Sequence, residues 1–248
     1  MQEKNATDIS GQTIGTPDPE LGSSSGFVLS RQGIWLKKNW TDATFNFCYR
    51  GSYSTALTDY LARQTEYFAF VDIGANQGLY SLIAVQSELC GQALAFEPVL
   101  KTFRLLEDNI RANRSDNRIR AFRLAVSDHT GAQAISTRIG HSGAATLRNA
   151  RMRLLCGTEM IHSIGAASLK ALKPAQPEII KIDVEGHEEV VVQSLGEAGY
   201  LDSARAIYYE IDSRWSDADR LTDKLQAHGF RQFVQNKPGR HYDVLATR

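Results

Sequence analysis

The sequence lacks the marks of a disulfide scaffold, a membrane protein or a nucleic-acid binder. It has only three cysteines among 248 residues, Cys48, Cys90 and Cys156. They are far apart, odd in number and without metal-ligand spacing, which argues against a disulfide framework or a zinc site. Reduced thiols in a cytoplasmic protein are the plain expectation. No apolar run approaches the roughly 20 residues of a membrane span, and the polar start from Gln2 to Asp8 does not read as a secretory leader. Charge of one sign is missing as well. The 28 basic and 28 acidic residues cancel, so the electrostatic footprint of a nucleic-acid binder is absent and a small or uncharged partner is favoured. What is present is 42% hydrophobic residues, enough to bury a substantial core in one domain.

The chain divides into three parts. Residues 1–26 have few apolar positions and end in Gly22-Ser23-Ser24-Ser25-Gly26, a composition expected of a flexible arm. Residues 27–64 are rich in aromatics and read as a small N-terminal subdomain. Within it Phe45, Phe47 and Tyr49 alternate like one face of a strand, and Thr55 to Gln64 reads as a helix. From residue 65 to 248 strands alternate with helices: strands over 69–73, 93–97, 119–124, 178–183 and 206–210, with helices between. An additional short strand over 132–137, a loop-rich stretch over 138–176 and a closing hairpin, 230–235 and 242–247, complete the pattern. This predicts a doubly wound, mostly parallel, seven-stranded α/β sheet of Rossmann-like type with a C-terminal antiparallel hairpin. Ligands in such folds bind beyond the carboxyl ends of the strands.

Chemistry concentrates at those ends. The first strand runs into Val71-Asp72-Ile73-Gly74-Ala75-Asn76-Gln77-Gly78-Leu79-Tyr80-Ser81. Gly74 and Gly78 permit a tight turn and close approach of a ligand to the backbone, and the following helix start offers N–H groups to an anion. The dinucleotide fingerprint fails, because Asn76 and Leu79 stand where its second and third glycines belong, and no P-loop Gly-Lys-Ser/Thr follows. Glu97, 19 residues after Gly78, ends the second strand, where a carboxylate would accept from two ribose hydroxyls and repel a phosphate. An adenosine ligand with an amino-acid carboxylate instead of a pyrophosphate fits this arrangement, and S-adenosylmethionine is one.

Five strings together resemble the FkbM-type methyltransferases: Val71 to Ser81; Phe96-Glu97-Pro98; Asn109 to Asn113; Ala125-Val126-Ser127-Asp128; and Ile180-Lys181-Ile182-Asp183-Val184-Glu185-Gly186-His187-Glu188. The last is the most specific, and the likeness spans about residues 65–212. The resemblance implies a class I methyltransferase fold, S-adenosylmethionine as donor, and O-methylation of a small-molecule hydroxyl, often on a sugar or secondary metabolite. Donor contacts are then expected from Asp72, Gly74, Ala75, Asn76 and Gly78 in the glycine turn, and from Tyr80 and Ser81 just after it. Glu97 and Pro98, Ser127 and Asp128, and Asp183 complete the expected donor set. Where many relatives carry an aspartate before the fourth strand, this chain has Ala167-Ser168-Leu169.

Several residues keep two readings. Asp72 touches the donor or bonds its own loop amides; Asp128 accepts from the adenine amino group or shapes a turn. Asp183, at the strand tip facing Gly74, is the candidate for the methyl-transfer site or a loop staple. His187 is a candidate general base or a structural histidine, and Glu185 and Glu188 suit a helix start. Glu210 and Asp212 could join Asp183 around a hard cation such as Mg2+, or be solvated acids. Tyr208 and Tyr209 read as strand packing. The acceptor is expected to be shaped by the aromatic N-terminal region and the loop over Gly140 to Leu147. N-methylation of a small molecule or protein and a non-catalytic adenosine-ligand module are the alternatives, and an oxidoreductase is the weakest.

Overall fold

The computed structural model describes residues 26–52, 55–138, 142–147 and 156–248; apart from Gly26, the arm expected over residues 1–26 lies outside them. A hairpin of β1 (Phe27–Leu29) and β2 (Trp35–Lys37) leads into α1 (Ala43–Arg50) and α2 (Thr55–Ala62). The strand expected over Phe45 to Tyr49 is thus a helix. Asp42 caps its start by accepting from the Phe45 N–H, and Gly51 ends it in the left-handed region at φ 60°. Caps at both ends, with Phe45 and Cys48 buried three apart, outweigh a short alternation.

β3 (Phe68–Ile73), α3 (Leu79–Ala84), β4 (Cys90–Phe96), α4 (Leu100–Ala112) and β5 (Ile119–Phe122) follow the expected order. A second sheet then forms from β6 (Ala125–Val126), β7 (Gly131–Arg138) and β8 (Cys156–Ile164), in the order β6-β8-β7. With α5 (Ala166–Lys170), β8 corrects the loop reading of 138–176. β8 is fixed by long-range pairing with β7, from Gly131 opposite Ser163 to Arg138 opposite Cys156, which no local signal announces. The chain closes with β9 (Glu178–Ile182), α6 (Glu188–Glu197), β10 (Ala206–Asp212), α7 (Ala218–Ala227), β11 (Gln232–Gln235) and β12 (His241–Thr247).

The main sheet has seven strands in the order β11-β12-β10-β9-β3-β4-β5. Only β12 runs against its neighbours, pairing antiparallel with both β10 and β11. The antiparallel strand therefore lies one place in from the edge, not at the edge itself, because the hairpin folds back between β10 and β11. Val71, Ile73, Ile180, Ile182 and Ile207 pack on one face against α6 and α7. Phe68, Phe70, Ile179 and Tyr208 pack on the other with Phe45, Leu57, Leu82 and Leu106 from α1 to α4. Segment 27–64 contributes its buried apolar residues to this second core. The result is a three-layer, doubly wound α/β fold.

The two-residue alternation of strands has a consequence at the carboxyl ends. Asp72, Lys181, Glu210 and Asp243 share the face of Phe70, Ile179, Tyr208 and Leu245. In register, Asp72 lies beside Lys181 and Glu210 beside Asp243. The apolar face thus ends in a polar stripe.

Candidate active site

The glycine turn is built by exclusion. Gly74 and Gly78 hold φ 76° and 85°, which side chains rarely adopt. A Cβ on Gly74 would stand 1.9 Å from the Asp183 carbonyl oxygen, and one on Gly78 2.4 Å from Leu106 Cδ1. The Asp183 N–H in turn donates to the Ile73 carbonyl at 3.0 Å, so the turn and the β9 tip are locked together. Asn109 braces the turn from α4, its Nδ2 donating to the Gln77 carbonyl at 2.8 Å while its Oδ1 accepts from the Lys37 N–H at 2.7 Å. Asn113 clasps Trp35 in the same way. The Asn109 to Asn113 string is therefore a structural brace.

Asp72 is fully buried. It accepts from the Ser81 N–H and hydroxyl, at 3.2 and 2.7 Å, and lies 3.4 Å from Lys181 Nζ. Ser81 is thereby spent within the protein, and its N–H is not open to a ligand. Lys181, also buried, donates to the Gly74 carbonyl at 2.7 Å and pairs with Asp183 at 3.3 Å. Asp183 and Asp72 hold its ammonium well above the ordinary lysine range despite burial.

Two cavities flank this knot. The first is lined by Gly74, Asn76, Glu97 and Pro98, by an apolar wall that includes Phe96, Leu124 and Leu147, and by Asp183, Glu185 and His187. Glu97 accepts from the Asn76 and Val99 N–H groups at 3.0 and 2.9 Å. Burial pushes its carboxyl up to about 7. Each oxygen keeps a lone pair for a further donor. His187 Nε2 lies 3.1 Å from Ser127 Oγ, and burial lowers the ring's pKa. Ala75, Gly78, Tyr80, Ser81, Ser127 and Asp128 do not line this cavity. Asp128 is 70% exposed and tied to His129 Nδ1 at 2.7 Å, which holds its carboxyl low.

A strap closes over the first cavity. Ser142, Gly143, Ala145 and Leu147 of the expected acceptor loop line it, and Gly140 lies outside the described residues. The Ser142 N–H donates to Asp42 Oδ2 at 2.9 Å, and its hydroxyl lies 3.1 Å from both Asp42 Oδ1 and Asn76 Oδ1. Thr146 reaches the Glu185 carbonyl at 2.8 Å.

The second cavity opens on the polar stripe, and Asp183 borders both. Lys181, Tyr208, Glu210, Asp243 and His241 line one side, and Phe47 and Tyr80 lend aromatic surface. Tyr80, expected on the donor, thus faces this side. Phe47 is 48% exposed although large and apolar. Asp183, Glu185 and Glu210 each bring one oxygen within 4.8 Å of the others. Burial and the neighbouring Asp183 push Glu185 up to about 8 and Glu210 up to about 9. Asp183 is already paired with Lys181, Glu210 with His241, and Asp212 is held by Arg214 at 2.9 Å. Mg2+ would compete with those partners. Glu188 caps Gly186 and receives the Ser216 hydroxyl, a structural role. Sequence reasoning did not single out Lys181, His241 and Asp243, which line this cavity, whereas Tyr208, read as packing, does pack in the core and also borders the cavity. The signal was cross-strand register, which becomes legible only once the sheet order is known.

Solved structures with related architecture are distant. They include a precorrin-6y C5,15-methyltransferase from Geobacter metallireducens GS-15, at 12% identity over 78% of this chain and 86% of that one, TM-score 0.45. A putative tRNA (m1A22) methyltransferase from Streptococcus pneumoniae in complex with S-adenosyl-L-methionine gives 15% identity over 79% and 72%, TM-score 0.49. No curated protein matches the chain significantly. The profile of the methyltransferase FkbM domain matches residues 72–232, well over half of the sequence. The chain belongs to the FkbM methyltransferase domain family.

Proposed function

We propose that this chain transfers a methyl group from S-adenosylmethionine to a hydroxyl of a small acceptor, a sugar or secondary metabolite. The observation that carries this reading is the meeting of two cavities at Asp183. The residues of the first fit a nucleoside ligand. Glu97 has spare lone pairs for two vicinal hydroxyls, the wall from Phe96 to Leu147 suits a base, and Gly74 leaves the backbone bare. The second fits a hydroxyl-rich acceptor, with carboxylates and an amide to exchange hydrogen bonds and rings to cover C–H faces.

The donor supplies an electrophilic methyl on a sulfonium. The protein's work is alignment and the handling of one proton. Lys181 holds Asp183 at the junction, where its carboxylate is placed to orient an acceptor hydroxyl. Segment 27–64 borders the acceptor through Phe47 and Ser52, and 65–248 forms the donor domain of a cytoplasmic enzyme. Calorimetry with S-adenosylmethionine and with NAD, then isotopically labelled donor offered to hydroxyl and amine acceptors, tests the reading. Label on oxygen supports it. Label only on nitrogen, or tight NAD binding with no heat from S-adenosylmethionine, rejects it.

A further inference from the structure

The chain as a whole is neutral, but its N-terminal segment is not. Between Gly26 and Ser52 it carries four basic residues, Arg31, Lys37, Lys38 and Arg50, against one acid, Asp42. Asp42 is buried, and its carboxylate is taken up by the Phe45 and Ser142 N–H groups. Lys37 lies 3.9 Å from Asp108, whereas Arg31 and Arg50 are exposed and in no ion pair among the described residues. The same segment holds three of the six large apolar side chains exposed among the described residues, Leu29, Trp40 and Phe47. These groups adjoin. Leu29, Ser30 and Arg31, at the tip of the β1–β2 hairpin, line one hollow with Tyr49 and Arg50 of α1. The Arg31 N–H donates to the Tyr49 carbonyl at 3.1 Å. Trp40 stands edge-on to Phe45 and Tyr49, with ring centroids 4.9 and 5.1 Å apart, and is still 51% exposed. Phe47 lies one turn before Arg50 on α1.

We propose that this face docks the enzyme on a bilayer that contains anionic phospholipid. Arg31 and Arg50 meet no surface carboxylate of their own segment, so their charge is left for an anionic partner such as lipid phosphate. The apolar groups are not gathered into one dry centre, as a protein partner would favour. Leu29 stands two residues from Arg31, and Phe47 one turn from Arg50. A bilayer surface takes such an arrangement, because rings and aliphatic groups settle at the edge of the acyl chains while guanidinium groups stay at the headgroups. Two cations and three apolar groups make the attachment peripheral and reversible. Phe47 also lines the second cavity beside Ser52, so docking turns that side of the cavity towards the bilayer. Docking of this kind does not depend on which atom is methylated.

The test mixes the full chain with vesicles of equal parts phosphatidylglycerol and phosphatidylcholine, and with vesicles of phosphatidylcholine alone, and reads the bound fraction by sedimentation. At low salt the anionic vesicles should be bound about tenfold or more tightly, and high salt should remove most of the difference. A basic side chain near an anionic surface is worth about fivefold in partitioning, so Arg31→Gln combined with Arg50→Gln should weaken binding about twentyfold. Both side chains are exposed, so the Tm of this double variant should match that of the wild type. Trp40 supplies a second readout. Tryptophan emission should shift to the blue on the anionic vesicles, and Trp40→Phe should lose most of that shift while still sedimenting with them. Failure of the full chain to bind the anionic vesicles would overturn the proposal, whether a second copy of the chain or its own residues 1–25 cover the face instead. Binding that is indifferent to lipid charge, or unchanged in the double arginine variant, would overturn it as well.

Discussion

The Cα of Gly74 lies so close to Asp183 that a side chain there would put its Cβ 1.9 Å from the Asp183 carbonyl oxygen. One glycine therefore ties the donor turn to the tip where the two cavities meet. Gly74→Ala adds that clash to the strain of φ 76°. The variant should lose at least tenfold in S-adenosylmethionine affinity and several degrees of Tm. Calorimetry and thermal unfolding measure both, and unchanged values would show that the turn is not the donor cradle.

Glu97→Ala removes the one carboxylate of the first cavity that combines burial with spare lone pairs. Charged hydrogen bonds are worth roughly 1.5–3 kcal/mol, so donor affinity should fall about tenfold or more. In the wild type, affinity should also weaken as pH falls below about 7, where the buried carboxyl takes up its proton. The variant's affinity should not follow pH across that window. A wild-type affinity within twofold at pH 6 and 8 would contradict the ribose role.

The strap gives a kinetic prediction. Ser142→Ala keeps the N–H bond to Asp42 and deletes the hydroxyl that lies between Asp42 and Asn76. Loss of one hydroxyl hydrogen bond costs about 1 kcal/mol, so the dissociation rate of S-adenosylhomocysteine should rise roughly fivefold. Stopped-flow displacement reads this directly. An unchanged rate would mean that the strap does not gate the donor.

Glu210 makes stability depend on pH. Its folded pKa, raised by burial and neighbouring acids to about 9, exceeds the 4.5 of an unperturbed glutamate. A carboxyl raised in this way favours the folded state most below pH 4.5, and that contribution is lost as pH rises through 9. Glu210→Gln stays neutral throughout. Its Tm should exceed that of the wild type by a few degrees at pH 9, and the gap should close towards pH 5. A gap that widens towards pH 5 would reverse the sign and refute the argument.

The parallel sheet was legible because β3, β9 and β10 are largely apolar stretches, each preceding a glycine turn or a helix start. The glycine turn was legible because Gly74 and Gly78 stand where a tight strand-to-helix turn needs positive φ and close backbone packing. The helix at Phe45 was misread because its capping residue, Asp42, lies outside the alternating stretch. β8 was missed because its partner strand is about 25 residues away in sequence. The acceptor side was least visible. Lys181, Glu210, Asp243 and His241 meet only through register between β9, β10 and β12, and no spacing along the chain encodes that.

Asp183 is the point at which these arguments meet. It borders both cavities, its backbone is locked to the donor turn through Gly74 and Ile73, and Lys181 fixes its carboxylate at 3.3 Å. Asp183→Asn keeps the shape and removes the charge, so the protein should stay folded and bind the donor within a few-fold of wild type. Turnover should fall about a hundredfold, since the acceptor hydroxyl loses its charged hydrogen-bond acceptor beside the reacting methyl. His187→Gln should cost less, because its ring is held by Ser127 on the donor side. Removing Mg2+ with a chelator and restoring it separates the electrostatic cases. Turnover that survives chelation leaves Asp183 as an orienting carboxylate, whereas turnover lost and restored by Mg2+ makes Asp183, Glu185 and Glu210 work through a cation. Wild-type turnover in Asp183→Asn would remove Asp183 from the reaction altogether, and the junction of the two cavities would then mark a boundary and not the place of methyl transfer.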